Sequence, residues 1–456
     1  MSNFNTNSMK KVAIIGAGPS GVLLAHYLLR RNDQYQIDIY ERRSDPRNIA
    51  FSKVRSFPIS LGDRGMSPIA QIPGLVTAVK AVSIEKVGTI IHQKNGKTKV
   101  TNRQKPLVTL DRTHLATVLL EKLLETHNQH INIHFNTQLI AVDFAAKKAK
   151  LQKISTSVNT EVEAEFTIDY DLLIGADGAR SVVREYLSNT PDFEFEQNYV
   201  LNAYKSIFLP KPDPIPDVNL EKNKIHTWRL TGGISVLMLY QLDGAMSGVI
   251  LFPYANNPIA KLTTVDEVLT FFRDNFPEIS KLMPVSEAEE FLKRPISRVL
   301  TVRCNRYHYQ DSVLLLGDAA HAVSPSIGQG CNSALEDVFI FNQLLDEYGD
   351  NLAIALENYS LRRHPDGMAV RELSDYSFPV SKKLFFEFLL LNTWTKLLHN
   401  IFPQRCLPPI FEAVFQDNLS YKEILDYYQN WISKVKASNI KFYANVENNK
   451  QSNSGE

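Results

Sequence analysis

Three short stretches of this chain carry residue types whose spacing suits a large, anionic cofactor. The first is Gly16-Ala17-Gly18-Pro19-Ser20-Gly21, a GxGxxG run that follows an apolar segment at 11–15. In such a turn Gly16 permits the tight bend, Gly18 lets a pyrophosphate approach the backbone, and Gly21 lets the next helix pack close to the strand. The helix start adds free N–H groups and the positive end of its dipole. Ser20 offers a hydroxyl in the same turn. Glu41 stands twenty residues after Gly21, at the end of a second strand-like segment. A carboxylate there accepts hydrogen bonds from a ribose diol. A lone GxGxxG is weak, but strand, glycines, helix, strand and acid in this order specify a dinucleotide site. The bland alternative is a tight strand-to-helix turn with no ligand.

The second stretch, 171–180 (DLLIGADGAR), runs an apolar strand into Asp177-Gly178. Alone it is compatible with an ordinary strand exit. The third, 312–332 (SVLLLGDAAHAVSPSIGQGCN), runs an apolar strand into Gly317-Asp318 and then a Gly-rich loop ahead of a helix. Asp318 at a strand end can bind a polyol hydroxyl. The loop Gly328-Gln329-Gly330 offers backbone N–H groups to a ring carbonyl or a phosphate.

The elements that must position these residues follow from periodicity. Residues 11–15, 21–31 and 36–40 read as strand, helix and strand, a βαβ opening. Residues 113–125 have helical spacing, whereas 132–144 and 151–174 alternate like strands. The region 199–254 is strand-rich and irregular, with a Pro-rich turn (PKPDPIPD), and reads as part of a separate sheet. Helical patterns return at 265–276 and 334–348, and after Pro379 the chain is helical and aromatic-rich to about Trp431. One cofactor domain is therefore expected from 9–78, 105–185 and 295–378, and a sheet domain from 79–104 and 186–294. A helical region at 379–445 and a disordered tail at 446–456 complete the chain.

Composition narrows the classes. The 456 residues, 44% of them apolar, suit two or three globular domains. A net charge of +1 from 50 basic and 49 acidic residues opposes nucleic-acid binding. Cys304, Cys331 and Cys406 are far apart and form no CxxC, which argues against a disulfide framework or zinc site and for a reducing, cytoplasmic setting. Residues 1–9 lack the pattern of a signal peptide. No stretch approaches the ~20 apolar residues of a membrane span. The nearest, 384–402, is broken by Glu387, Asn392, Lys396 and His399. It reads as a buried amphipathic helix, with peripheral membrane contact the lesser reading.

The motif order, GxGxxG with Glu41, then Asp177-Gly178, then GDAAH followed by PxxGQG and Asn332, resembles the flavoprotein aromatic hydroxylases of the para-hydroxybenzoate hydroxylase type. Segments 55–65 (RSFPISLGDRG), 110–115 (LDRTHL) and 361–376 (LRRHPDGMAVRELSDY) are similar to kynurenine 3-monooxygenases, and the likeness spans about 10–431. It implies an α/β fold: a Rossmann-like FAD-binding domain with an inserted mixed-sheet substrate domain and a C-terminal helical region. It implies bound FAD, NAD(P)H as co-substrate, and O₂ used to hydroxylate a small aromatic molecule through a flavin C4a-hydroperoxide.

By the same resemblance, Gly16, Gly18, Ser20 and Gly21 wrap the FAD pyrophosphate and Glu41 binds the adenosine ribose. Tyr40, Arg42 and Leu139 lie by the adenine. Arg112 reaches the phosphate or ribityl region, and Ser60 sits near the flavin. Asp177 lies between FAD and the path of NAD(P)H, and Asp318 binds the ribityl or pyrophosphate portion. Gly330, Cys331 and Asn332 lie against the isoalloxazine. Such proteins have no second Rossmann fold for NAD(P)H, and no second GxGxxG occurs here. No catalytic side chain and no metal ligand is assigned, and both monomer and dimer stay open.

Bland readings compete at several positions. Arg55 and Arg112 also suit surface ion pairs. His321 reads as a packed loop histidine ahead of a base, and Cys331 as a small loop residue ahead of a redox thiol. The aromatic run 378–415 reads as core ahead of a substrate cage, and Lys382-Lys383 as a solvated face. Rival functions are an alkene epoxidase or isoprenoid reductase, and a non-catalytic flavin scaffold. A halogenase fits less well, because Trp228, Trp394 and Trp431 are isolated and WxWxIP is absent.

The likeness to kynurenine 3-monooxygenase fails where that family holds its amino-acid substrate. The family's arginine aligns with Thr89, its tyrosines with Pro106 and Ile410, and its asparagine with Ser377. The aromatic pair before GQG is Ser326-Ile327. Lys86 and Arg103 are the nearby cations able to take over. A buried carboxylate without a partner is costly, so L-kynurenine is not expected to be the natural substrate.

Overall fold

Apolar runs bounded by turns assemble three sheets in the computed structural model, which describes residues 9–31, 34–48, 58–93, 96–127, 129–155, 164–211, 220–230, 232–255 and 257–453. Lys10–Ile15 lies inside a six-stranded sheet, with Tyr35–Tyr40 and Leu172–Gly175 parallel on either side. Ile131–His134 and Val313–Leu315 extend it in parallel, and the short His308–Tyr309 pairs antiparallel at one edge. Parallel strands need helices on both faces, which is why these runs are almost continuously apolar. The helix Pro19–Leu29 packs against both Arg112–Thr126 and Gly330–Glu347.

A second, eight-stranded sheet is mixed. Its middle pairs Lys224–Arg229 in parallel with Ile84–His92 and antiparallel with Ser235–Tyr240. Two of its strands, Pro58–Leu61 and Ser297–Cys304, fall in segments the sequence assigns to the cofactor domain. Long-range pairing with Thr98–Asp111 and Phe195–Leu209 puts them in the sheet instead, and local pattern does not encode that choice. A separate antiparallel meander holds Thr137–Asp143, Lys148–Lys153 and Glu165–Asp169.

One face of the large sheet packs on three helices, Val265–Asn275, Pro277–Leu282 and Val285–Lys293. There Phe272, Phe276 and Phe291 meet Met238, Trp228 and Phe252. The other face is turned toward the late helices Lys382–Ile401, Ile410–Ala413 and Tyr421–Asn453. Their apolar residues join Leu107, Val323 and Ile327 in a further core.

Two expectations change here. The last helix runs on to Asn453, through most of the segment expected to be a disordered tail. Ala444, Glu447, Lys450 and Gln451 are good helix formers and extend the helix already begun. The helix Lys382–Ile401 buries Leu384 and Phe388 but exposes Phe386 at 64% and Trp394 at 61%. It is thus apolar on two faces, only one of which is buried. Among the described residues no helix is long and apolar enough to cross a membrane. Arg55 and Ser56 lie outside the described residues.

Candidate active site

Four parallel strands end on one side of the first sheet in four expected site residues. Lys10–Ile15 runs into Gly16, Tyr35–Tyr40 into Glu41, Leu172–Gly175 toward Asp177, and Val313–Leu315 toward Asp318. The crevice beyond strand C-termini is where open α/β sheets bind ligands. A cavity of ≈ 3490 Å³ opens there and continues between the first sheet, the second sheet and the late helices. A site for one small ligand needs only about 300–1,000 Å³, so this space suits a dinucleotide and a substrate together.

The glycines divide their roles as the motif predicts. Gly16 has φ +107°, and a Cβ there would lie 2.4 Å from the Ala176 carbonyl oxygen. A Cβ on Gly21 would lie 2.3 Å from the Gly16 carbonyl oxygen, so helix and strand are in close packing. Gly21 therefore shapes the turn from behind and is not on the cavity wall. Gly18 is different: a Cβ there meets nothing within 4 Å, because open groove lies before it.

Around this turn the other expected residues line the same groove: Ser20, Tyr40, Glu41, Arg42, Arg112 and Leu139. Glu41 accepts the Ala17 N–H at 3.0 Å through one oxygen and the Arg43 N–H at 2.9 Å through the other. The carboxylate is thereby fixed and keeps lone pairs for a diol. Tyr40 stacks on His134, with ring centres 4.7 Å apart. Arg112 opens its helix directly after the N-cap Asp111. It lines the groove and has no ion pair among the described residues.

Asp177 accepts the Val182 N–H at 2.7 Å, at the start of a short helix whose N-cap is Ser181. Burial raises its pKa against the hydrogen bonds that lower it. Its second oxygen, Oδ1, is buried without a partner among the described residues.

The glycine loop completes the groove. Gly330 and Cys331 line the cavity with Ser60 and Asp318. Burial pushes the Cys331 thiol up to about 12, and Asp318 pushes the same way. Cys331 is therefore a neutral thiol, in keeping with a small loop residue. Asn332 is not among the residues that line the cavity. Its side chain is turned from the cavity and donates to the carbonyls of Ser60 at 2.8 Å and Gly328 at 2.9 Å. Its oxygen accepts the Gly62 N–H at 3.0 Å. With its hydrogen bonds made by backbone, Asn332 clamps the loop to the strand Pro58–Leu61. His321 is the packed histidine expected, buried and bonded to Asp337.

Beyond the loop the cavity becomes an aromatic chamber. The sheet contributes Leu237 and Leu239, whereas Met238 and Tyr240 face the opposite core. A strand alternates its side chains, so a one-residue error in phase exchanges faces. Phe378, Phe411 and Phe415 line the chamber as well as the late core, so the aromatic run is also part of a cage. Lys86 is unavailable. It is fully buried, and its Nζ donates to the carbonyls of Lys222 and Tyr240. Desolvation lowers its pKa to about 8. Arg103 does line the chamber. Arg229 and Asp375 are among the charged wall residues that escaped sequence reasoning. Alternation from Ile225 through Thr227 is the signal that places Arg229 on the chamber face. Burial pushes Asp375 up to about 6, against Arg371 beside it.

Comparison with known proteins agrees with this geometry. The model of the FAD binding domain family matches residues 9–374. Kynurenine 3-monooxygenase of Flavobacterium psychrophilum is 30% identical over 422 residues, covering 91% of this chain and 90% of the relative. That of Caenorhabditis elegans is 27% identical over 434 residues, covering 92% of each. The tetrameric form of 2-methyl-3-hydroxypyridine-5-carboxylic acid oxygenase shares the fold, with TM-score 0.65, 19% identity, and coverage of 81% of this chain and 90% of that one. P. aeruginosa PqsL in complex with 2-aminobenzoylacetate does so at TM-score 0.62 and 18% identity, covering 81% and 95%. The chain belongs to the FAD binding domain family, among the FAD-dependent monooxygenases that include the kynurenine 3-monooxygenases.

Proposed function

We propose that the chain hydroxylates a small aromatic molecule, with FAD lying from the Gly18 turn to the Gly328–Cys331 loop and the substrate in the aromatic chamber. One observation carries this: a single cavity runs without interruption from the dinucleotide groove to that chamber. The residues fit the cofactor. Gly18 leaves room for a pyrophosphate, Glu41 is fixed for a ribose diol, Arg112 lines the groove with no ion pair among the described residues, and Asp177 Oδ1 is a buried acceptor with no donor among them.

Bound flavin supplies the redox chemistry: it takes a hydride from NAD(P)H and lets O₂ oxygenate the substrate. The balance is substrate, NAD(P)H, a proton and O₂ giving hydroxylated substrate, NAD(P)⁺ and water. The protein binds, orients and shields. Leu237, Leu239, Val323 and Ile327 make the chamber apolar, which keeps water from the reacting centre. Neutral Cys331 adds no charge beside the ring. The relatives do not favour the epoxidase or reductase reading. Three free cysteines suit a reducing, cytoplasmic setting.

The test is a screen for aromatic compounds that accelerate NAD(P)H oxidation by the purified yellow protein, with mass spectrometry of the products. A product heavier by one oxygen supports the reading. Oxidation that no compound accelerates points to a non-catalytic flavin scaffold. L-Kynurenine, whose family clamp is replaced by Thr89, Pro106, Ser377 and Ile410, is expected to be a poor substrate. Efficient turnover of kynurenine would contradict that part.

A further inference from the structure

The helix Leu352–Tyr376 ends at the chamber, and its last turns place Arg371, Ser374, Asp375 and Tyr376 on the cavity wall. Ser326 donates its hydroxyl to the Ser374 carbonyl, so this helix end is fastened to the segment that leads into the glycine loop. Phe378, two residues past the helix, lines the chamber as well. Asp375 therefore belongs to the part of the wall that adjoins both the glycine loop and the aromatic side chains.

No other wall residue matches it there. The remaining carboxylates on the cavity wall, Glu41, Asp177, Asp318 and Glu121, follow strands of the first sheet or sit on the helix Arg112–Thr126. Among the described residues no lysine lines the cavity, and its one histidine, His114, lies on that same helix. Cys331 is held neutral. Asp375 is thus the one carboxylate at the chamber end.

That carboxylate is reachable, and it makes no hydrogen bond to other described residues. Its side chain is 23% exposed, and Arg371 Nε stands 3.7 Å from Oδ2, too far for a hydrogen bond. Arg371 also faces Glu196 of the strand Phe195–Leu209 at 3.8 Å, and Lys436 of the last helix bonds Glu372 at 2.9 Å. Burial pushes the pKa of Asp375 up to about 6, Arg371 and Lys436 pull it down, and Glu372 pushes it up. At neutral pH the group is therefore charged yet short of donors. Desolvating a carboxylate in that condition is costly, and a ligand O–H or N–H relieves the cost.

We propose that Asp375 accepts a hydrogen bond from a donor carried on the substrate's aromatic ring, a hydroxyl or an amine, and so selects electron-rich rings for oxygenation. The proposal rests on the hydroxylase reading above and names the substrate class. Hydroxyl and amine substituents feed electron density into the ring carbons ortho and para to them, and a charged acceptor on the donor strengthens that release. A hydrogen bond to an ionised acceptor is also the stronger kind. The site therefore favours the rings most reactive toward an electrophilic oxygen.

The test follows the flavin spectrum while the yellow holoenzyme is titrated with 3-hydroxybenzamide, 3-aminobenzamide and 3-methoxybenzamide, each uncharged over the pH range used. The hydroxyl probe, the amine probe or both are expected to bind at least about tenfold more tightly than the methyl ether at neutral pH. Which of the two is preferred distinguishes a phenolic substrate from an aromatic amine. The preference should fall away as pH drops through about 6, where Asp375 takes up a proton. D375N should abolish this pH dependence and most of the preference while methyl ether binding holds, and D375E should retain part of it. R371M should move the inflection to higher pH, because Arg371 lowers the pKa of Asp375. Equal binding of all three probes by the native protein overturns the proposal, as does failure of all three to perturb the flavin. A preference and inflection that D375N leaves unchanged overturn it too. A protein that is colourless before any probe is added defeats the hydroxylase reading itself, so the two failures are distinguishable.

Discussion

His321 Nε2 stands 2.7 Å from Asp337 Oδ2, and neither residue is more than 4% exposed. The same oxygen accepts the Gly317 N–H at 2.9 Å, and the other oxygen of Asp337 meets Arg363 at 2.8 Å. Arg363 in turn bonds Asp366 at 2.9 Å, which caps the Lys422 N–H at 2.9 Å. The turn that presents Asp318, the helix after the glycine loop and the start of the last helix are therefore tied through one buried carboxylate.

Asp337→Asn removes the charge and leaves Arg363 short of a partner. Breaking a buried ion pair by changing one member costs about 3–5 kcal/mol. The variant is expected to melt at lower temperature and to release flavin more readily than the native protein. Denaturant unfolding and fluorescence of released flavin check this. Unchanged stability and retention would show the network to be dispensable.

The same carboxylate sets an acid limit. Burial pushes the pKa of Asp337 up, but His321 and Arg363 outweigh it and hold the group at about 2, below the ordinary 3.8. A carboxylate depressed on folding stabilises the protein above its unfolded pKa, and that stability is lost as pH falls through the folded value. Native protein should therefore lose stability between about pH 4 and 2 more steeply than Asp337→Asn. Parallel acid-unfolding curves for the two proteins would exclude this assignment.

Gly16 and Gly18 should fail in different ways when replaced by valine. At Gly16 the side chain meets the Ala176 backbone, and the residue has a positive φ. Gly16→Val should therefore destabilise the fold, with poor yield of soluble protein. At Gly18 nothing stands in the way. Gly18→Val should fold and melt near the temperature of flavin-free native protein, yet purify colourless because its side chain fills the groove. A yellow Gly18→Val with an unchanged spectrum would contradict the cofactor placement.

Cys331 should be slow to alkylate. Thiolate is the reactive form, and burial holds this thiol up to about 12. Peptide mapping after iodoacetamide near neutral pH should find Cys331 unmodified, and Cys331→Ser should keep its flavin and turnover. Rapid labelling at this residue would show a lowered pKa in its place.

How much was legible in the sequence followed from how local each signal was. Gly16, Gly18 and Glu41 answer to a turn, a helix start and a strand end, all set within thirty residues, and each stands where the motif puts it. Asn332 sits in an equally clear motif, but its role depends on Ser60 and Gly62, far away in sequence, so the clamp was invisible. The choice between Met238 and Leu237 turned on strand phase, which apolar residues on both faces conceal. Arg229 could not be singled out from the sequence, because the chamber wall it joins is closed by helices more than a hundred residues later.

The most direct measurement supplies isotopically heavy dioxygen to the holoenzyme with NAD(P)H and an aromatic compound that stimulates its oxidation. The account predicts one heavy oxygen atom in the hydroxylated product, matched by one NAD(P)H consumed when turnover is fully coupled. Product oxygen drawn from water, or a product with no added oxygen, would contradict it.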